Sequence, residues 1–215
     1  MPFQTTLWSA ISRAKAGSRE ALESLLARYR PPVFEYVCRR GIPAQDAEDV
    51  VQEVFLEICQ EDLLRNADRE KGRLRSLILR ITQNVLASRF RKQYRLKRGG
   101  GRKALPLEEV AQEESEDRFN ELWARNLLRI GLQRLGRQAT RCKVPYHEVL
   151  LWKYLDGLSY EQIGERLKCT SKDVDNYCYQ GKQMLKRILT ELAREYSSSP
   201  EEHDAEIELL RRYLG

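Results

Sequence analysis

Three groups of side chains in this chain stand at spacings that suit chemistry, and in each the chemistry is binding, not bond-making. Asp46, Asp49, Glu53 and Glu57 recur at intervals of three and four, so an α-helix gathers them into one stripe. Carboxylates so placed repel by about 0.2–0.5 kcal/mol per pair. A cationic partner surface would relieve that repulsion, although a face that only keeps the chain soluble has the same pattern. Arg73, Arg80, Asn84 and Arg91 make a second stripe, and from Arg89 to Lys103 there are eight bases and no acid, with Phe90 and Tyr94 interleaved. Cations neutralise phosphates, while aromatic rings and an amide can hold unstacked bases. The third group, Lys172, Asn176, Tyr179, Gln180, Gln183 and Arg187, forms the polar face of a helix whose other face is Val174, Cys178, Gly181, Leu185, Ile188 and Leu192. Amides and cations so arranged suit base edges and phosphates in a major groove. An ordinary helical hairpin is the competing reading.

The charges are segregated by sign. Asp46 to Asp62 holds seven acids and no base, Arg65 to Lys103 holds fourteen bases and two acids, and acids dominate again from Glu108 to Glu121. The net charge of +6 points to a polyanionic partner. No paired catalytic carboxylates and no nucleophile–base constellation stand out, so the chain does not read as an enzyme. The five cysteines (Cys38, Cys59, Cys142, Cys169 and Cys178) are scattered with no C-x-x-C, which suits a reducing cytoplasm. His147 and His203 show no ligand spacing with them, and neither a metal nor any other cofactor is expected. The start, M-P-F-Q-T-T-L-W, carries neither the basic region nor the apolar core of a signal peptide. No stretch approaches the ~18 apolar residues of a membrane helix.

Helices must position these groups, because helical periodicity recurs and no hairpin signal appears. A first helix is expected over about Arg19 to Arg40, carrying Leu22, Leu25, Leu26, Tyr29, Val33, Phe34 and Val37, with Pro31 and Pro32 bending or breaking it near Arg30. Gly41 and Pro43 end it, and Gln45 or Asp46 opens the acidic helix, Ala44 to Gln60. The basic helix follows from about Gly72 to Lys92 and packs through Leu74, Leu77, Ile78, Ile81, Val85 and Leu86. Gly99, Gly100 and Gly101 read as a hinge, and residues 98–117 as a linker. Phe119, Trp123, Leu127, Ile130 and Leu135 begin the second half, followed by a helix from Tyr146 to Leu155. In L-S-Y-E-Q-I-G-E-R-L-K, Ser159 caps a helix while Gln162 reaches back, and Leu158 and Ile163 form a hydrophobic staple. Gly164 marks a close approach by a neighbouring helix. Thr170 or Ser171 caps the last reading helix. Two short helices joined by a tight turn, the second polar outside, describe a helix-turn-helix.

The segments D-A-E-D-V-V-Q-E-V-F, R-S-L-I-L-R-I-T-Q-N-V-L-A-S-R-F-R-K and Y-L-D-G-L-S-Y-E-Q-I-G-E-R-L, in this order, resemble bacterial RNA polymerase sigma factors of the extracytoplasmic-function type. The resemblance implies an all-α fold with two small domains. Residues 1–97 would form a region-two-like domain, and 118–195, after the linker, a region-four-like helix-turn-helix domain with an extension at 196–215. It also implies that Asp46, Asp49, Gln52 and Glu53 dock on core RNA polymerase. Arg80, Asn84, Arg91 and Lys92 would meet the promoter −10 element, and Lys172, Asp175, Asn176, Tyr179, Gln180, Gln183 and Arg187 the −35 element. The implied partners are core polymerase, promoter DNA and an anti-sigma factor or other regulator, with no membrane insertion. The departures are Leu74 and Leu77 where the family carries Phe and Trp, Ser88 where it carries an acid, and K-D-V-D-N-Y at the start of the reading helix. Asp173 and Asp175 there would repel phosphates. These departures leave a second reading, a sigma-like DNA-binding regulator that does not itself support initiation. For the extension, whose Ile207, Leu210 and Leu214 make an apolar stripe, docking on the chain itself, binding a regulator and fraying all stay open.

Overall fold

A computed structural model describes residues 19–60, 74–98, 110–139, 144–197 and 199–214. Among them the fold is all-α, with eight helices and no strand: α1 (Arg19–Arg39), α2 (Ala44–Gln60), α3 (Leu74–Arg98), α4 (Val110–Ala139), α5 (Tyr146–Tyr154), α6 (Tyr160–Leu167), α7 (Ser171–Glu195) and α8 (Pro200–Leu214). The chain divides into two compact units, one made of residues up to Ala124 together with those from Tyr196 onward, the other of Arg125–Glu195.

In the first unit α1, α2 and α3 pack on one another. Tyr29, Val33, Tyr36 and Val37 of α1, Ala47, Val50, Val51, Val54 and Ile58 of α2, and Ile78, Leu79, Ile81, Val85 and Leu86 of α3 are buried. The helical spacing foretold most of this core, and Phe34, Phe55 and Leu77 are half-buried at its margin. Helix α1 runs through Pro31 and Pro32 without a break, so of the two expected outcomes the break does not occur. Residues buried on both sides of the prolines hold the segment helical, and the fixed proline φ is itself helix-compatible. Gly41 turns the chain with φ of 87°, and the Pro43 carbonyl accepts from the Asp46 and Ala47 N–H groups. That places the start of α2 just after Pro43, with Asp46 in its first turn.

The first unit is completed by two segments expected elsewhere. Helix α4 begins at Val110, inside the anticipated linker, and its residues through Ala124 belong here. Trp123 stacks on Tyr29 with ring centroids 4.7 Å apart, and Phe119 meets Tyr36 edge-on. The expected extension also folds into this unit as helix α8, with Leu209 and Leu210 buried. Docking on the chain is thus its outcome, and Glu206 is the reason. Its carboxylate accepts two hydrogen bonds from Arg75 Nη1, at 2.9 and 2.6 Å, and a third from the Trp123 indole. Both charged side chains are only 6% exposed. Tyr196 adds its ring to Tyr29 and Trp123, and Tyr213 donates to Asp117. The glycine hinge at 99–101, Arg73, and the side chains of Leu22, Leu25, Leu26, Cys59, Leu74 and Tyr94 lie outside the described residues.

In the second unit α5, α6 and α7 pack together around Val149, Ile163, Val174 and Cys178. Leu127 and Leu135 of α4 are buried in the same unit, and Arg134 pairs with Glu195 at 2.7 Å.

Two measurements test this packing. Removing one partner of a buried ion pair strands the other charge, at a cost of about 3–5 kcal/mol, whereas replacing both by apolar groups is close to neutral. Glu206→Ala should therefore destabilise the first unit by roughly that amount in urea denaturation, and Arg75→Met with Glu206→Leu should recover most of it. The second measurement concerns alkali. Burial, followed by the Asp117 hydrogen bond, pushes the Tyr213 phenol up to about 12. A folded pKa above the ordinary value near 10 means that this contribution is whole below about pH 10 and is lost as pH rises through about 12. Tyr213→Phe should flatten that alkaline loss in a melting-temperature profile.

Candidate nucleic-acid interface

The acidic stripe of α2 flanks the helix's buried face. Asp46, Asp49 and Gln52 are exposed, and Glu53 and Glu57 are half-buried. The Glu53 carboxylate takes the Arg89 Nε–H at 2.6 Å, joining the acidic helix to the basic one. The sequence did not foretell this pairing, since thirty-six positions separate the partners and nothing in either helix's period connects them. Along α3, Arg80, Asn84, Arg91 and Lys92 are all exposed, while Thr82 turns inward and donates to the Ile78 carbonyl. Their spacing puts Arg80, Asn84 and Arg91 on one side of the helix, so these three residues of the stripe share an exposed surface.

The helix-turn-helix of the second unit is α6, a turn and α7. Ser159 Oγ accepts from the Gln162 N–H at 3.2 Å, and Gln162 Oε1 accepts from the Ser159 N–H at 2.8 Å. This is the reciprocal cap that the spacing implied. Lys168 ends α6 in the left-handed region, with φ of 55°, and the Cys169 N–H donates to the Gly164 carbonyl at 3.0 Å. A Cβ on Gly164 would lie 2.8 Å from the Cys169 carbonyl oxygen. The glycine is therefore required by the backbone of the turn, not by a neighbouring helix as expected.

At the start of α7 the cap is Thr170. Its Oγ1 accepts from the Asp173 N–H at 3.2 Å, while Asp173 Oδ2 accepts from the Thr170 N–H at 3.0 Å and its hydroxyl at 2.6 Å. These bonds hold the Asp173 carboxyl below the usual carboxylate range, the Thr170 hydroxyl contributing most. Asp173 is thus a capping residue whose charge suits a helix N-terminus. Asp175 is exposed. The Tyr160 phenol is raised, first by burial and then by neighbours that include Asp175. Asp173 thus serves the helix cap, whereas Asp175 stays on the exposed face.

Lys172, Asn176, Tyr179, Gln180, Gln183 and Arg187 are all exposed, with Tyr179 63% so. Lys186, next to Arg187, is exposed too. Lys182 lies 4.5 Å above the Tyr154 ring, an engagement the sequence did not announce. Another missed residue is Tyr146, whose hydroxyl donates to Gln180 Oε1 at 2.6 Å. Gln180 in turn donates to Asn176 Oδ1 at 3.3 Å.

The arrangement offers like-charged faces and amide groups held on helices, and these are means of recognition. The family model of Sigma-70 region 2 matches residues 25–96, within the first unit, and that of Sigma-70 region 4 matches residues 144–185, within the second. Together they span more than half of the chain. No curated protein matches it. The acidic and basic stripes fall in the first match and the reading helix in the second, which supports a role in promoter recognition and transcription initiation. Among the described residues no helix is long and apolar enough to cross a membrane. On these two matched regions, in this order, the chain belongs to the bacterial sigma-70 family, in its extracytoplasmic-function (group four) type.

Proposed function

We propose that this protein is an alternative sigma factor, which binds core RNA polymerase in the cytoplasm and directs initiation at a restricted set of promoters. One observation carries the reading: the polar residues of three separate faces are exposed on helices whose opposite sides build the two cores. The acidic face of α2 meets a basic surface of the polymerase. Asp46, Asp49 and Gln52 make that contact, and Glu53, tied to Arg89, holds α2 against α3. Arg80, Asn84, Arg91 and Lys92 engage the −10 element, the cations on phosphates and the amide on a base. On α7, Lys172, Asn176, Tyr179, Gln180 and Gln183 face the −35 base edges, and Arg187 the backbone. Asp175, exposed on the same helix, faces the −35 element with them, where a carboxylate can accept from a cytosine amino group. The protein works without catalysis or a cofactor of its own, and a regulator such as an anti-sigma factor would act by covering one of these faces.

A second reading, a sigma-like regulator that does not support initiation, draws on the half-buried aliphatic Leu77, where the family carries an aromatic side chain. Run-off transcription on genomic fragments with purified core polymerase separates the two. Specific transcripts are expected. Operator binding without core polymerase, and without transcripts, would select the second reading.

Asp46→Arg with Asp49→Arg should abolish co-purification with core polymerase while the melting temperature holds. Exposed charge changes shift stability by about 0.5 kcal/mol or less, whereas like charges brought together at an interface cost several. Leaving Glu53 intact keeps the Arg89 pair out of the result. Wild-type recovery of the polymerase would sink the docking assignment.

On DNA, Asn176→Ala and Gln180→Ala should change promoter choice, each lost bidentate contact being worth about 1–3 kcal/mol. Arg187→Ala should weaken all promoters alike and lessen the salt dependence. An unchanged −35 preference in the two amide variants would show that α7 reads with another face.

A further inference from the structure

Two amides on the reading helix are joined in a directed chain that begins outside that helix. Tyr146 is the first residue of α5, set by Pro145, whose carbonyl accepts from the Val149 N–H at 3.0 Å; Val149 is wholly buried. The Tyr146 ring meets Tyr177 of α7 edge-on, with centroids 6.3 Å apart. Its position is therefore fixed from below by the core and from the side by α7. From there its hydroxyl donates to Gln180 Oε1, and Gln180 Nε2 donates to Asn176 Oδ1.

The direction of this chain has a chemical consequence. Each side-chain amide has one oxygen that accepts and two N–H groups that donate. Here each oxygen already accepts one hydrogen bond within the protein, which leaves it a second lone pair but fixes which way its amide is turned. The hydrogens not used in this chain are both N–H groups of Asn176 and the second N–H of Gln180. An unrestrained Asn or Gln can turn its amide and read adenine, which needs one donor and one acceptor side by side. Guanine presents two acceptors, O6 and N7, and thymine presents O4.

We propose that Tyr146 is a positioning residue for promoter reading: its hydroxyl holds the Gln180 and Asn176 amides donor-outward, so that the pair favours edges presenting acceptors alone, guanine O6/N7 or thymine O4, over the mixed donor–acceptor edge of adenine. The proposal rests on the reading of α7 as the −35 helix and names what that helix prefers and why. Tyr146 itself need not touch DNA.

The test uses the full chain on core RNA polymerase with a promoter library randomised across the −35 element. Wild type is expected to favour guanine or thymine over adenine at one position or more, and Asn176→Ala with Gln180→Ala to erase that bias. Tyr146→Phe keeps the ring against Tyr177, so melting temperature and salt slope should hold. The bias against adenine should shrink roughly three- to tenfold, the value of one hydrogen bond in water. Tyr146→Phe with a wild-type profile, or with uniform loss on every promoter, overturns the proposal while the −35 reading stands, provided the amide variants change the profile. Amide variants with an unchanged profile overturn both.

Discussion

The first unit depends on a carboxylate that no short stretch of sequence could place. Glu206, in the last helix, is buried and takes hydrogen bonds from Arg75 and Trp123, so three helices far apart in the chain must assemble before its charge is satisfied. Desolvating a carboxylate costs several kcal/mol even after relaxation, and an excellent geometry is needed to offset it. The consequence is specificity of assembly. Helix α8 cannot slide or turn by one residue without burying an unpaired charge, whereas Leu209 and Leu210 alone would tolerate several registers. The same demand draws the start of α4 into this unit, because Trp123 supplies one of the three donors while its ring stacks on Tyr29.

The second unit solves a different problem. A reading helix must expose polar groups at its start, where orphan backbone N–H groups also demand acceptors. Thr170 and Asp173 meet that demand inside the chain. The turn before them is kept tight by Gly164 and by the left-handed Lys168. With Asp173 committed to the cap, an acidic-looking sequence becomes a helix whose outward face is mainly amide and cation. Counting charges along the chain misjudges such a face. The partners of each charge decide what it presents.

Sequence reading succeeds where the cause is local. Helix periodicity exposes the acidic stripe, the basic stripe and the polar face of α7, and the Ser159–Gln162 cap follows from spacing alone. The Thr170–Asp173 cap is open to the same reasoning, since a Thr followed three positions later by an acid is the same signal. Treating Asp173 as a groove residue hides it. The Glu53–Arg89, Arg75–Glu206 and Tyr146–Gln180 pairs cannot be found so. Each joins two helices whose separate periods say nothing about their mutual register. The proline pair in α1 misleads for a related reason, because a local preference to break is outweighed by Tyr29, Val33 and Tyr36 packing around it.

The exposed faces also differ in what they can accomplish. Point charges on flexible stems, such as Arg80, Arg91, Lys92 and Arg187, act over about a Debye length, speed encounter and lose strength with salt. They carry almost no information about base sequence, since every phosphate is alike. Information requires directed donors and acceptors, and a directed amide requires something to direct it. In this chain the cations stand on long helices with little to fix their heads, while Asn176 and Gln180 are tied to one another and to Tyr146. That division has a physical origin, because attraction tolerates motion and discrimination between bases does not.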